Sequence, residues 1–383
     1  MRRTPLQEQV DSLPRLVSEM IGPLAAAVGK ALPDSLCENL RRVFVTGCGD
    51  SHHAALNSEL AFEQLAGLPC EPMTAMQFGR YAARFLPQDE PGANLVLAIS
   101  VSGQVSRTAE ALALGRRAGG VAVAITGNPA GALAQEAEVV LQTAVPSLPT
   151  AQPGLVVPGA RSYIASQLAL YLTAIHLGEK RGHLSRKEAE AERRGLGETA
   201  VFQAQTIARC DPIAQQLAYD WRDANQFVYC GAGPNYGAAL FSAAKLIEAS
   251  GDAAIGQDTE EWAHLQYFGK EPDTPTFIIS AGGWDTSRAA EVVTAAQQIG
   301  RRVALIAPEN SELAQAVDPA HLLPISGTTA EHFSPLLTCL PGLLFAAHRA
   351  ELLNEPYFRA FSGGRSSKGG GGISRIQTSE RIG

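Results

Sequence analysis

One pattern constrains this chain above all others: a short apolar run, a glycine-bearing turn and a helix-forming stretch recur in the same order in both halves. In the first half, Arg42-Val-Phe-Val-Thr46 enters Gly47-Cys-Gly-Asp-Ser51. Asn94-Leu-Val-Leu-Ala-Ile-Ser100 then enters Val-Ser-Gly103, and Val121-Ala-Val-Ala-Ile-Thr126 enters Gly127-Asn-Pro129. In the second half, Phe227-Val-Tyr-Cys230 leads to Gly231-Ala-Gly-Pro-Asn-Tyr236, Thr276-Phe-Ile-Ile-Ser280 to Ala-Gly-Gly283, and Arg302-Val-Ala-Leu-Ile-Ala307 closes the set. Runs that are apolar throughout, and not alternating, suit strands buried on both faces, which predicts a parallel sheet covered by helices. Gly47 and Gly231 stand 184 positions apart, and Ser100 and Ser280 stand 180 apart. Ser106-Arg-Thr-Ala-Glu-Ala-Leu112 beside Ser287-Arg-Ala-Ala-Glu-Val-Val293 adds local similarity, and together these predict a duplicated unit. A chain of 383 residues accommodates two such α/β domains.

The remaining segments fit around that frame. Leu13, Leu16, Val17 and Met20 recur at helical spacing and predict helix over 5–40. An apolar helix is expected near 160–178, followed by the charged Glu179–Arg194 as an exposed helix and linker. Phe361–Ile373 is glycine-rich, which suits either disorder or a flap that closes on a site. The expected boundaries are an N-terminal helical segment over 1–40, domains over 41–195 and 196–353, and a flap or tail over 354–383. The net charge of −7 argues against a nucleic-acid-coating surface. Six scattered cysteines lack any C-x-x-C pair, so neither a zinc site nor a disulfide framework is expected. The N-terminus lacks the apolar stretch of a secretory signal, and no window is expected to reach the roughly 18 apolar residues of a membrane span. A soluble, cytoplasmic protein is the expectation.

Three segments carry chemistry. Ser100-Val-Ser-Gly-Gln-Val-Ser106 sits where a buried strand gives way to a helix, and free N–H groups and the helix dipole there favour an anion. Hydroxyls of Ser100, Ser102 and Ser106 and the Gln104 amide add donors, although a plain capping turn with Ser106 as N-cap accounts for the same residues. Ser51, in Gly47-Cys-Gly-Asp-Ser51, would reach the same ligand from the neighbouring strand end. That turn lacks the third glycine of a dinucleotide fingerprint, so no nucleotide cofactor is expected. In the second half, Lys245-Leu-Ile-Glu-Ala-Ser250 and Glu260-Glu-Trp-Ala-His264 hold Glu248 and His264. A solvated helix acid and a structural histidine are the plainer readings of each. An aldose–ketose shift uses these two types: a carboxylate to move a proton between C1 and C2 and an imidazole to open the ring. Carboxylate clusters and His/Cys ligand spacings are missing, so no metal and no cofactor are expected.

These residues resemble the double-SIS (sugar isomerase) family, in particular the isomerase half of glucosamine-6-phosphate synthase, over roughly 40–350. The resemblance implies two tandem SIS domains, each a mostly parallel sheet in a flavodoxin-like three-layer sandwich. It places the isomerisation base on Glu248, in Lys245-Leu-Ile-Glu-Ala-Ser250, and the ring-opening histidine on His264. The sugar-phosphate loops fall on Cys48-Gly-Asp-Ser51 and Ser100-Val-Ser-Gly-Gln-Val105. It further implies a homodimer whose site is shared between subunits, a small sugar as the partner, and neither nucleic acid nor membrane. Departures are informative: no cysteine nucleophile follows Met1, so glutamine-derived ammonia transfer is not expected. Asp50 and Val105 replace threonines of the phosphate cradle, and Asp50 beside a dianion would cost about 1–4 kcal/mol at 4 Å. Asp50 is thus expected to turn away, to bond sugar hydroxyls, or to mark a less charged ligand such as a sulfonate. The family's C-terminal lysine segment looks like Arg375-Ile-Gln-Thr-Ser-Glu380, making Arg375 the anion clamp and Lys368 an alternative. The implied function is an aldose–ketose isomerase for an anionic hexose, working through an enediol with a Glu248 desolvated toward neutrality. The alternatives are an amino-sugar phosphate deaminase or fructosamine-phosphate deglycase, and a non-catalytic sugar-phosphate sensor.

Overall fold

A computed structural model describes residues 3–87, 92–365 and 376–382. Contacts between Cα atoms divide the chain into two compact units. One comprises Leu16–Pro146, Ser162–Gly197 and Phe361–Gly383; the other comprises Met1–Arg15, Ser147–Arg161 and Glu198–Ala360. The expected N-terminal helix is broken into α1 (Pro5–Asp11), α2 (Leu13–Ala31) and a single turn, Asp34–Cys37. The physical cause is proline. Pro14 cannot donate to Val10, and Pro33 ends the apolar stripe.

The first unit holds a five-stranded parallel sheet of β1 (Arg42–Gly47), β2 (Cys70–Thr74), β3 (Asn94–Ile99), β4 (Val121–Thr126) and β5 (Val139–Gln142), in the order β2-β1-β3-β4-β5. Helices α3 (Asp50–Ala66), α4 (Ser106–Arg117) and α5 (Arg161–Lys180) flank it. One face of the sheet presents Phe44, Val96, Ala98, Ala122 and Ala124 to Phe78 and to Ala111 and Leu112 of α4. The alternate residues Val43, Val45, Leu95 and Leu97 are also fully buried, which is why these strands read as unbroken apolar runs. Each such Val, Leu or Phe side chain contributes roughly 1.5–3 kcal/mol by leaving water. Within the helix layer, the Asn57 amide of α3 donates to the Tyr163 hydroxyl (2.7 Å) and Gln167 (3.0 Å) of α5.

The charged stretch after α5 belongs to a 35-residue helix, α6 (Arg186–Asp220). The second unit then builds another parallel sheet from β6 (Gln226–Gly231), β7 (Ala253–Asp258), β8 (Thr276–Ile279), β9 (Val303–Pro308) and β10 (Leu322–Ile325). Its order, β10-β9-β8-β6-β7, is the same topology as in the first sheet. Its helices are α7 (Pro234–Ser250), α8 (Thr259–His264), α9 (Thr286–Gln298) and α10 (Leu340–Leu353). Val228, Cys230, Ile278 and Leu305 meet Val292 and Val293 of α9. On the other face Tyr229 stacks on Phe277 (ring centroids 4.5 Å apart), which packs edge-on against Phe345 of α10 (4.8 Å). Helices α7 and α10 approach closely because residue 342 is glycine; a Cβ there would collide with Ser242.

Each sheet has five strands: the runs read from sequence are its inner strands, and β2, β5, β7 and β10 are edge strands outside that reading. One expectation needs correction, and it concerns apolar length. Glu331–Leu353 is a 23-residue helical stretch long and apolar enough to cross a membrane by composition, with a mean hydropathy of 1.3. In the fold, 83% of that window is buried. The six cysteines are free thiols, and only Cys48 is exposed.

Candidate functional site

In the first unit the residues of interest converge because β1 and β3 are hydrogen-bonded neighbours with Gly47 opposite Ile99. Chain leaving both strands therefore enters one crevice, at the carboxyl edge where the strand order reverses. The turn after β1 is tight. Gly49 caps α3 at φ +55° and ψ −127°, a conformation open essentially to glycine alone. Ser51 follows in the first turn of α3, half-buried, and Cys48 Sγ receives the Thr108 hydroxyl at 3.6 Å. Asp50 lies at the start of the same helix with its carboxylate 3.8 Å from His53 Nδ1, where a negative charge complements the helix dipole.

The turn after β3 carries the hydroxyls. Gly103, at φ +66°, lets the loop pack on the turn after β4, where a Cβ would lie 3.0 Å from the Asn128 carbonyl and from the Thr126 hydroxyl. The Leu133 N–H donates to the Gly103 carbonyl at 2.9 Å, and the Asn128 amide to the Ser102 carbonyl at 3.1 Å. Ser102 is exposed, and its hydroxyl accepts from the Gln104 N–H at 3.3 Å. Val105, not Ser106, is the N-cap of α4, and no side chain caps that terminus. Ser100 (2% exposed) and Thr46 (0%) are buried hydroxyls without a hydrogen-bond partner. Unsatisfied buried hydroxyls are costly, and their concentration here fits a polar ligand or water. Thr46 had no place in the sequence reading; its only signal was a polar residue ending an apolar run.

Ser106 is occupied. Its hydroxyl donates to the Gln377 carbonyl at 2.5 Å. The segment 376–382 lies along α4: the Glu380 carbonyl accepts from Arg107 (2.8 Å) and Arg80 (3.4 Å), and the Ile382 N–H donates to Glu110 at 2.6 Å. Burial works against ionisation of Glu110, but Arg80, the Ile382 N–H and Arg107 together hold its carboxyl below the ordinary value. Arg375 and Lys368, the expected clamps, lie outside the described residues.

The second unit carries Glu248 and His264, and it does not bring them together. Leu240 of α7 packs on Gly256 of β7, where a Cβ would lie 2.5 Å from the Leu240 Cα. Glu248 lies eight residues further along α7, about 12 Å, toward the start of β7. His264 stands on α8, which packs Trp262 against Val228, Cys230 and Ile278 on one face of the sheet, whereas α7 packs with α10 over the Phe227 and Phe277 face. Glu248 is about a quarter exposed and pairs with the ammonium of Lys245, which is fully buried over the Phe241 ring. The ammonium is an opposite charge beside that carboxylate, three residues away on the same helix. Sequence reasoning missed Lys245, although its spacing of three from Glu248 on a helix was the available signal. His264 is exposed on α8 and its Nε2 stands 3.0 Å from Glu260, which Arg288 also grips.

The strand-end loop after β8 differs in kind from its counterpart after β3. Gly233 caps α7 at φ +52° and ψ −131°, close to the values at Gly49. Fully buried Ser280 donates to Asp285 at 2.8 Å, and Asp285 is the N-cap of α9 as Val105 is of α4. Burial pushes the Asp285 carboxyl up to about 6 against the Ser280 hydrogen bond, and nearby Glu331 adds to the rise. Among the described residues, no group of three or more His, Cys, Asp or Glu side chains is placed to hold a metal ion.

Comparison with known proteins agrees with this frame. Residues 37–177, which contain all five strands of the first sheet, match the model of the SIS domain. The glutamine–fructose-6-phosphate aminotransferase (isomerizing) of Gloeobacter violaceus is 26% identical over 346 residues, which cover 90% of this chain and 54% of that protein. The Streptomyces coelicolor enzyme of that name is 29% identical over 325 residues, covering 83% and 50%. The chain thus spans about half the length of these curated relatives. Among solved structures, the C-terminal domain of glucosamine-fructose-6-phosphate aminotransferase from Francisella tularensis has a TM-score of 0.79 at 17% identity, covering 92% of this chain and 97% of that one. Glucosamine-6-phosphate deaminase from Thermotoga maritima has a TM-score of 0.62 at 18% identity, covering 91% and 93%. Residues 37–177 thus match the SIS domain, and the second sheet repeats the strand order of the first.

Proposed function

We propose that this protein is an aldose–ketose isomerase for an anionic hexose, phosphorylated or sulfonated. The observation that carries the reading is the pair of buried, unpartnered hydroxyls, Thr46 and Ser100, beside the uncapped terminus of α4. Donors and dipole there suit the anionic end of a sugar. Ser51, Ser102 and Gln104 complete the cradle, and Ser106 joins it when segment 376–382 moves. Arg375 or Lys368 closes over the ligand. Asp50, turned along its own helix toward His53, leaves the anion unopposed.

Glu248, paired with Lys245, passes the proton between C1 and C2 through an enediol. His264 opens the ring. Because α7 and α8 cover opposite faces of the second sheet, the reading takes the imidazole from the neighbouring copy of a homodimer. The curated relatives carry "isomerizing" in their names, which supports the reaction class. A deaminase or deglycase would use the same carboxylate and break a C–N bond, and the likeness to a glucosamine-6-phosphate deaminase keeps that reading second.

The test is incubation in D2O with fructose 6-phosphate, glucose 6-phosphate and glucosamine 6-phosphate, reading deuterium at C1 or C2 and free ammonia. Solvent deuterium in an isomerised product without ammonia is expected. Glu248→Gln should lower turnover by roughly 100- to 10,000-fold with the dissociation constant little changed. Ammonia release would favour C–N cleavage, and binding without any exchange would leave a sensor.

A further inference from the structure

The side chain of His264 is held in a way the proposed reaction does not require. Its Nε2 stands 3.0 Å from Glu260 Oε1. Arg288 grips the same carboxylate at both oxygens, Nε to Oε2 at 2.6 Å and Nη2 to Oε1 at 3.0 Å. Arg288 is itself steadied by Glu291, with Nη1 2.6 Å from its carboxylate. The Arg288 hydrogen bonds, with His264 second, hold the Glu260 carboxyl below its ordinary value. An ionised carboxylate is an acceptor only. The nitrogen facing it must therefore carry the proton in neutral imidazole, which leaves Nδ1 with the lone pair. Among the described residues, only Nε2 of this ring has a hydrogen-bond partner.

We infer that Glu260 and Arg288 are positioning residues which fix His264 as its Nε2–H tautomer and so reserve Nδ1 for the substrate proton. This rests on the ring-opening role proposed above. A carboxylate on the far nitrogen also stabilises the imidazolium formed as Nδ1 accepts a proton, the part a carboxylate plays toward histidine in hydrolytic triads. In the first unit, the Ser-Arg-x-x-Glu turn of Ser106, Arg107 and Glu110 grips segment 376–382. The turn of Ser287, Arg288 and Glu291 instead grips the carboxylate behind His264. These are exposed pairs that contribute little to folding, so their variants should remain folded.

The experiment uses the full 15N-labelled chain at a pH where histidine is neutral. Long-range 1H–15N correlation reads which His264 nitrogen is protonated, with His264→Asn to assign the signal. Wild type should show Nε2–H alone, Glu260→Met and Arg288→Gln a mixture, and Arg288→Lys an intermediate state. In parallel, exchange between fructose 6-phosphate anomers should fall roughly tenfold in Glu260→Met, a share of the full general acid–base contribution, with affinity unchanged. Nδ1–H in wild type, or a ratio unmoved by Glu260→Met, would overturn the assignment. A shifted tautomer with undiminished anomer exchange would overturn the reservation of Nδ1. If His264→Asn exchanges anomers at the wild-type rate, it is the ring-opening role that fails, while the tautomer result still decides what Glu260 does.

Discussion

The carboxyl edges of the two sheets share a frame and differ in charge. Both follow the strand order of a doubly wound sheet, and both turn through a glycine near φ +50° and ψ −130° at the start of their first helix. The loop after β3 fills its crevice with serine hydroxyls and an uncapped helix terminus; the loop after β8 places Asp285 there, and Glu331 approaches it from the turn after β10. The frame decides where a ligand can sit, and a handful of strand-end side chains decides its sign.

That contrast is open to direct attack. Ser102→Asp would bring the second loop's charge into the first crevice, and sugar-phosphate affinity by calorimetry should fall roughly 10- to 1,000-fold. Unchanged affinity would mean the anion sits elsewhere. If the two glycine turns are true equivalents, Gly49→Ala and Gly233→Ala should each cost about 1–3 kcal/mol in denaturant unfolding. Neither added methyl meets another atom, so the cost is backbone strain. A large difference between them would break the equivalence.

Asp285 sharpens the comparison through pH. Its folded value is raised from 3.8 to about 6, so the folded state holds its proton more tightly than the unfolded chain. That contribution is complete below the unfolded value and is lost as pH rises through about 6. Asp285→Asn should flatten the decline between pH 4 and 6 and stabilise the protein by about 1–2 kcal/mol at pH 7, allowing for its partial exposure. No first-unit variant should reproduce that profile. The smallest effect is expected at Glu110, whose lowered carboxyl stabilises the fold above its ordinary value and ceases to do so as pH falls through the folded one. Glu110→Gln should speed hydrogen exchange at the Ile382 amide, with a local loss of about 1 kcal/mol.

How far the sequence could be read follows from burial. Strands covered on both faces announce themselves as apolar runs, and all six read that way lie inside or beside the sheet centre. The four missed strands are Cys-Glu-Pro-Met-Thr, Val-Val-Leu-Gln, Ala-Ala-Ile-Gly-Gln-Asp and Leu-Leu-Pro-Ile. They sit at the edges, where one side is open and a proline or polar residue is tolerated. Loop residues such as Ser100 and Ser102 were legible because they follow a strand directly. The pairing of Lys245 with Glu248 depends on a helix face. The separation of Glu248 from His264 depends on which face of the sheet α7 and α8 cover, and neither fact has a local signature. Asp285 was hidden behind the similarity of its loop to the serine turn.

Glu331–Leu353 carries a consequence for synthesis. A segment this apolar is an aggregation hazard whenever it is naked, and a plausible substrate for membrane-insertion machinery. Yet the surfaces it covers, the Trp221, Phe227 and Phe277 side chains and helix α7, leave the ribosome before it. A chain made from its N-terminus can therefore have the cradle assembled when the greasy segment emerges, whereas one stalled before residue 340 would display an open aromatic face with nothing to cover it.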